Sequence, residues 1–359
     1  MKIDIIAGAR PNFMKIAPII EAIHKRGDDK ITYRLIHTGQ HYDYKMSGSF
    51  FAELDIPHPH INLEVGSGTQ AEQTAAIMIG YEQVLLKEKA DLCLVVGDVT
   101  STMACAIAAK KLNVKVAHVE GGIRSNDLTM PEEINRMVTD AIADYFFTTT
   151  LAANETLKKE GHGEEKLFFV GNTMIDTLLK QQPNFKKPPF FSELELQEKG
   201  YFVLTLHRPN NVDEPVSLQK LIDIIVRGAN KIPVIFPINP RTKKIISDNN
   251  IKHEGLILVE PLPYLEFNHL VKNALAVLTD SGGITEETTM MGVPCLTLRD
   301  NTERPETCTI GTNELIGTNP ANLLEPMAKV IRGDWKKGGI PELWDGRAAT
   351  RIVDVISSL

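Results

Sequence analysis

Leu275-Ala276-Val277-Leu278-Thr279-Asp280-Ser281-Gly282-Gly283-Ile284-Thr285-Glu286-Glu287 is the stretch from which the architecture can be read. Its apolar run, closed by polar residues and two glycines, reads as a buried strand, and the residues from 284 onward read as a helix. A strand that breaks into Ser-Gly-Gly and enters a helix is the building unit of a parallel sheet with helices on its faces. Glycines let the backbone approach a ligand, and free amides at the start of a helix favour an anion. A diphosphate suits that junction. Glu286 and Glu287, read as first-turn carboxylates, can accept hydrogen bonds from a ribose diol. The same residues also describe an ordinary capped helix.

The alternation continues in both directions. Strands are expected at 2–7, 32–37, 92–96, 114–119, 145–149 and 167–170, with helices at 14–25, 71–88, 101–112, 131–143 and 152–160 between them. A second series places strands at 201–206, 233–238, 256–259, 275–279 and 294–298. Its helices fall at 216–229, 241–248, 264–273 and 284–291, and two more, at 321–332 and 347–358, close the chain. Residues 181–200, with Pro183, Pro188 and Pro189 among mixed charges, read as a surface linker. The 359 residues exceed what one core serves. The fold class is therefore α/β, with two Rossmann-like domains facing across a cleft, and every loop after a strand is a place to look for chemistry.

Composition narrows the function. No window carries the uninterrupted apolar span of a membrane helix, and the mean hydropathy is -0.11. Met1 to Gly8, with Asp4 inside a short apolar run, is unlike a signal peptide, so the cytoplasm is expected. Cys93, Cys105, Cys295 and Cys308 form no C-x-x-C pair and read as buried free thiols; no metal site is expected. A net charge of -7 argues against a nucleic-acid surface but leaves room for an anionic substrate held by local arginines.

The strand-end loops supply the candidates. Gly8-Ala9-Arg10-Pro11-Asn12-Phe13-Met14-Lys15 puts Arg10 and Lys15 past the first strand, where both can meet phosphate, and it lacks the G-x-G-x-x-G fingerprint of a dinucleotide site. Asp98, in Gly97-Asp98-Val99-Thr100, is an acid at a strand tip or a helix cap, with Thr100, Ser101 and Thr102 as alternative caps. Glu120 leads Gly121-Gly122-Ile123-Arg124. In Pro131-Glu132-Glu133-Ile134-Asn135-Arg136 the i,i+4 spacing sets Glu132 and Arg136 on one helix face, as a functional pair or a surface ion pair. In the second half, Leu206-His207-Arg208 and Thr302-Glu303-Arg304-Pro305-Glu306 offer His207 and Arg304 as further anion contacts.

Taken together and in this order, these seven stretches resemble the non-hydrolysing UDP-N-acetylglucosamine 2-epimerases along nearly the whole chain. The resemblance implies the domain arrangement of GT-B glycosyltransferases, with a C-terminal helix that crosses back. The domains would then be 1–171 plus 343–359 and 172–342. It also implies a homodimer, a UDP-sugar substrate and no cofactor. It places the uracil on Phe267, the ribose diol on Glu287, and the diphosphate on Ser281, Gly282, Arg10 and His207, with Gly283, Lys15, Arg136 and Arg304 completing the binding set. Asp98, Glu120, Glu132 and His207 match the catalytic set. A proton on C2 of the sugar is not acidic, so inversion there fits anti elimination of UDP to a glycal and its return, which needs carboxylates and cations.

A 2-epimerase of a diacetamido uronic acid nucleotide and a glycosyltransferase on the same scaffold are the alternatives. The chain departs from the family pattern at Gln40-His41-Tyr42-Asp43 and Thr69-Gln70, which correspond to elements that bind a second, activating UDP-GlcNAc in many members. It also departs at Asn239, where relatives commonly carry histidine.

Overall fold

The computed structural model describes residues 1–27, 29–39, 53–251 and 254–359; the side chains of Arg10, Pro209 and Asn210 are outside that description. The chain forms two compact units, Met1–Lys180 with Glu342–Leu359, and Gln181–Pro341.

The first unit runs β1 (Lys2–Ala7), α1 (Arg10–Arg26), β2 (Thr32–His37), β3 (Ile61–Asn62), α2 (Gln70–Lys87), β4 (Leu92–Val96), α3 (Thr100–Lys111) and β5 (Lys115–Val119). It continues through α4 (Pro131–Ile142), β6 (Tyr145–Thr148), α5 (Leu151–Lys159), β7 (Leu167–Phe169) and α6 (Thr173–Gln181). Its strands are all parallel, in the order β3-β2-β1-β4-β5-β6-β7. Winding therefore reverses between β1 and β4. Loops leaving the C-terminal ends of those two strands turn to opposite faces, and the crevice this opens is where such sheets hold ligands.

The second unit runs α7 (Pro189–Glu193), β8 (Phe202–Thr205), α8 (Pro209–Val212), α9 (Pro215–Ala229), β9 (Val234–Pro237), α10 (Pro240–Asp248), β10 (Leu256–Val259) and α11 (Tyr264–Lys272). β11 (Ala276–Thr279), α12 (Gly282–Met291), β12 (Cys295–Thr297), α13 (Pro305–Thr309), β13 (Asn313–Leu315) and α14 (Leu324–Arg332) complete it. The parallel order is β10-β9-β8-β11-β12-β13, so the reversal falls between β8 and β11. Successive strand residues go to opposite faces. Phe202, Leu204, Phe236 and Leu278 pack with Leu218, Leu221, Ile222 and Ile225 of α9 and with Met327 of α14, while Val203, Ile235 and Val277 pack with Leu270 and Val271 of α11.

The last helix, α15 (Ala348–Ile356), belongs to the first unit and packs on α1. Two contacts of α6 explain why the break between units falls at 180 and 181 rather than at the expected 171 and 172. Pro18 lies inside α1 and has no N–H, so the Met14 carbonyl four residues back lacks its helical donor; Thr177 Oγ1 donates to it at 2.6 Å. Asp176 accepts the amides of Ala348 and Ala349 at the start of α15, at 3.1 and 2.7 Å. Burial raises the Asp176 carboxyl to about 6.

Several expectations change. Residues 181–200 are not only a linker: α7 forms there, and Phe191 and Leu196 are buried in the core of the second unit. The helix expected from 284 begins at Gly282, so Glu286 and Glu287 fall in its second turn, and its first turn has no acid. β3, β13, α8 and α13 were not expected from periodicity, being two to five residues long. Cys93, Cys105 and Cys295 are buried free thiols, as expected; Cys308 is free and half-buried. Among the described residues no group of His, Cys, Asp or Glu is arranged to hold a metal, and no helix is long and apolar enough to cross a membrane.

Candidate active site

At the reversal point of the first sheet, Asn12 ties the two diverging loops. Its Oδ1 accepts the amides of Gly8 and Ala9 at 3.0 and 3.1 Å, and its Nδ2 donates to the Val96 carbonyl at 3.0 Å. Lys15, one turn into α1, is buried rather than solvated. Its Nζ meets Glu120 Oε2 at 2.6 Å, and Glu120 is also buried. Glu120 holds φ at 71°, in the left-handed region that side chains avoid; such a conformation costs on the order of 1 kcal/mol or more and is kept where surrounding contacts enforce it. Gly97 makes room for the ion pair, since a Cβ there would lie 3.1 Å from Lys15 Nζ.

Asp98 follows Gly97 and is paired with Arg136 Nη2, and Asn135 Nδ2 donates to the Asp98 carbonyl at 2.8 Å. Both partners come from α4. α3 takes Val99 as its N-cap without a side-chain cap, so neither Asp98 nor the neighbouring hydroxyls fills that position. The expected Glu132–Arg136 pair is not formed. Arg136 Nη1 instead meets Glu133 Oε2 at 2.7 Å, and Glu133 also accepts the amides of Ser125 and Asn126 at 2.9 and 2.8 Å. Burial pushes the Glu133 carboxyl up, but those amides and the guanidinium outweigh it and hold it below the usual range. Glu133 thus shapes the loop before α4, and Glu132 stands beside it, half-buried in the first turn.

The second unit gathers its polar groups around one buried carboxylate at its own reversal point. Asp280, after β11, meets His207 Nδ1 at 2.7 Å and accepts the amides of His207 and Arg208 and the Nδ2 of Asn211, all of them from the segment after β8. Burial raises the Asp280 carboxyl, but this ring of donors lowers it further and keeps it ionised. The His207 side chain is 54% exposed, and Asp280 fixes its ring, leaving Nε2 as its other polar atom. Ser281 is the N-cap of α12, its amide bonded to Thr279 Oγ1 at 3.0 Å; Gly282 and Gly283 are the first helical residues.

The remaining candidates of this unit occupy several environments. Arg304 Nε meets Glu286 Oε1 at 2.5 Å in a buried pair, and Glu303 is paired with Arg299 at 2.7 Å. Burial raises Glu303, yet Arg299 and Arg304 bring it down to about 2. Glu287 is buried in α12, and Phe267 packs half-buried against the core. Asn239 plays a structural part, because it caps α10 by accepting the Thr242 amide at 2.9 Å and donates to the Leu206 carbonyl at 3.2 Å. Thr69 likewise caps α2, and Gln70 accepts from Thr100 Oγ1 at 3.2 Å. The segment Gln40 to Asp43 and the side chain of Arg10 lie outside the described residues.

Sequence reasoning passed over Asp280, Glu133, His118 and Asp140 as acting residues. Asp140 and Glu133 were visible as acids on α4, but only the fold shows that both are buried. Each unit therefore presents polar or charged groups, held from behind by buried partners, at the place where its sheet changes winding.

The family model described as UDP-N-acetylglucosamine 2-epimerase matches residues 22–357. The UDP-N-acetylglucosamine 2-epimerase of Methanocaldococcus jannaschii is 42% identical over 371 residues, covering 99% of each chain. Its crystal structure in complex with UDP-GlcNAc and UDP superposes with a TM-score of 0.90, covering 100% of both chains. The UDP-GlcNAc 2-epimerase of Neisseria meningitidis, bound to UDP-GlcNAc, gives 0.89 at 30% identity and 100% coverage of both. The UDP-2,3-diacetamido-2,3-dideoxy-D-glucuronate 2-epimerase of Pseudomonas aeruginosa is 37% identical over 366 residues, with 100% of each chain covered. With a matching family model over almost all of its length and relatives well above 30% identity, this chain belongs to the UDP-N-acetylglucosamine 2-epimerase family.

Proposed function

We propose that the protein interconverts UDP-N-acetylglucosamine and UDP-N-acetylmannosamine without consuming UDP. A carboxylate of the first unit removes the C2 proton as the C1–O bond to UDP breaks, leaving a C1–C2 double bond. UDP then adds back to C1, and a proton is delivered to the other face of C2. Asp98, Glu120 and Glu132 are the proton-transferring set, with Arg136 and Lys15 paired to the first two. The second unit carries the nucleotide: Phe267 for uracil, Glu287 for the ribose, and Ser281, Gly282, Gly283 and His207, with Arg10 of the first unit and Arg304, for the diphosphate. Cations and amides aimed at a departing diphosphate stabilise the charge that develops there. The protein acts as a homodimer in the cytoplasm on this reading.

The observation that carries the reading is the gathering of Asp98 and Glu120, each paired with a cation, beside the reversal point of the first sheet. Incubation with UDP-GlcNAc in deuterated water, followed by proton NMR, tests it. Deuterium should enter C2 of both epimers with the nucleotide still attached. No exchange without an added acceptor would instead mark a glycosyltransferase. The 37% identity to the Pseudomonas enzyme favours a second reading, in which the substrate is a UDP-diacetamido uronic acid. That nucleotide belongs in a parallel tube, and faster exchange there would reassign the sugar.

A further inference from the structure

Behind the two acid-bearing loops of the first unit lies a buried network that touches neither acid side chain. His118, in β5, is wholly buried; its Nε2 faces the Gly97 carbonyl at 2.8 Å and its Nδ1 faces Asp140 Oδ1 at 2.6 Å. Asp140, also wholly buried, accepts from the Gly122 amide at 3.0 Å and from Arg124 Nη1 at 2.7 Å. Arg124 is further paired with Glu160 at 2.7 Å. Gly97 immediately precedes Asp98, and Gly122 comes two residues after Glu120. One dyad therefore grips both loops next to their acids.

Three observations give that grip a purpose beyond filling space. First, both loops turn through left-handed residues: Gly97 at φ 67° and Gly122 at 81°, which glycine adopts freely, and Glu120 at 71°, which a side chain keeps only where its surroundings hold it. Second, there is no slack: a Cβ on Gly121 would lie 2.9 Å from Phe146 Cδ1, 3.2 Å from Asp140 Oδ1 and 3.5 Å from His118 Nδ1. Third, Asp140 is itself held from two further sides, by the Gly122 amide and by Arg124, and His118 and Arg124 outweigh burial to keep its carboxyl below the usual range. The same helix that supplies Asp140 also holds Asp98 through Asn135 and Arg136.

We propose that His118 and Asp140 are positioning residues for the epimerisation: through Gly97 and Gly122 they fix the separation of the Asp98 and Glu120 carboxylates without touching substrate. The inference rests on the function proposed above. A proton taken from one face of C2 and returned to the other demands two acids at a set spacing, and a displacement of about 1 Å can cost on the order of 100-fold in rate.

The test compares His118→Gln, His118→Leu and Asp140→Asn with the unsubstituted protein, using C2 deuterium exchange, steady-state kinetics and circular dichroism. The Gln amide can still donate to the Gly97 carbonyl; the Leu side chain cannot. In folded variants kcat should fall by about 10- to 100-fold for His118→Leu and Asp140→Asn while KM stays within about threefold, with His118→Gln between them and the parent. A kcat near the parental value, an effect on KM alone, or equal losses for Gln and Leu would overturn the proposal. Should the variants not fold, nitrogen-15 spectra of the histidine rings in the parent decide: a buried ring hydrogen-bonded through both nitrogens supports the dyad, and the absence of such a ring overturns it. A parent that shows no C2 exchange with either nucleotide sugar would refute the proposed function instead.

Discussion

The two sheets reverse direction in the same way, yet the groups at the two reversal points are wired differently. In the first unit each acid is set against a cation: Glu120 meets Lys15, and Asp98 meets Arg136, which Glu133 shares. In the second unit a single carboxylate, Asp280, gathers a histidine ring, two amides and an asparagine. A buried acid set against a cation is sensitive to losing that charge, whereas a carboxylate ringed by neutral donors tolerates the loss of any one. The first arrangement suits groups that must change protonation during a cycle. The second suits a fixed anchor that orients its neighbours.

Lys15→Met should break this contrast most sharply. It leaves Glu120 buried without its ammonium, and removal of one member of a buried pair costs about 3–5 kcal/mol, which urea unfolding would read directly. In His207→Gln, by contrast, Asp280 keeps the amides of residues 207 and 208 and the Asn211 side chain, so the unfolding free energy should shift by about 1 kcal/mol or less. Equal losses in the two variants would erase the distinction.

The next effect is on turnover. Asp98→Asn, Glu120→Gln and Glu132→Gln should each lower the rate of C2 deuterium exchange by ~100-fold or more, the usual cost of a lost acid or base. Near-normal exchange in any one of them removes that residue from the set. A second small effect belongs to the second unit: Asn239→Ala should cost about 1 kcal/mol through the lost cap of α10. A much larger fall in turnover than in stability would show that Asn239 meets the sugar as well.

Apolar runs such as Leu92–Val96 and the Pro-initiated helices made the strand and helix alternation legible, because burial on both faces of a central strand forces an unbroken apolar stretch. Edge strands leave no such mark: β13 reads Asn313-Glu314-Leu315. Strand order has no local signature either, and so the reversal points, which bring the loops after β1 and β4 and after β8 and β11 into prominence, emerged only with the fold. The identity of the partners was hidden for the same reason. Spacing favoured Glu132 for Arg136, but the amides of Ser125 and Asn126 draw Glu133 inward, and Asp98 arrives from a distant loop. Asp280 could be read as a strand-end acid; its ring of donors depends on a segment some seventy residues earlier in the chain, as the 73-residue separation from His207 shows.

The return of α15 to the first unit has a consequence for how the protein is made. The seam it fills, along α1 and at Asp176, is laid down early, but the helix that covers it is synthesised only after the whole of the second unit. At ~5–20 residues per second, residues 181–341 occupy the ribosome for roughly 10–30 s. During that interval the second unit can close around a core wholly its own, while the unit begun first waits with an open apolar groove. A message truncated ahead of residue 348 would therefore yield a chain whose damage lies at its beginning, and surveillance by chaperones and proteases would recognise it there.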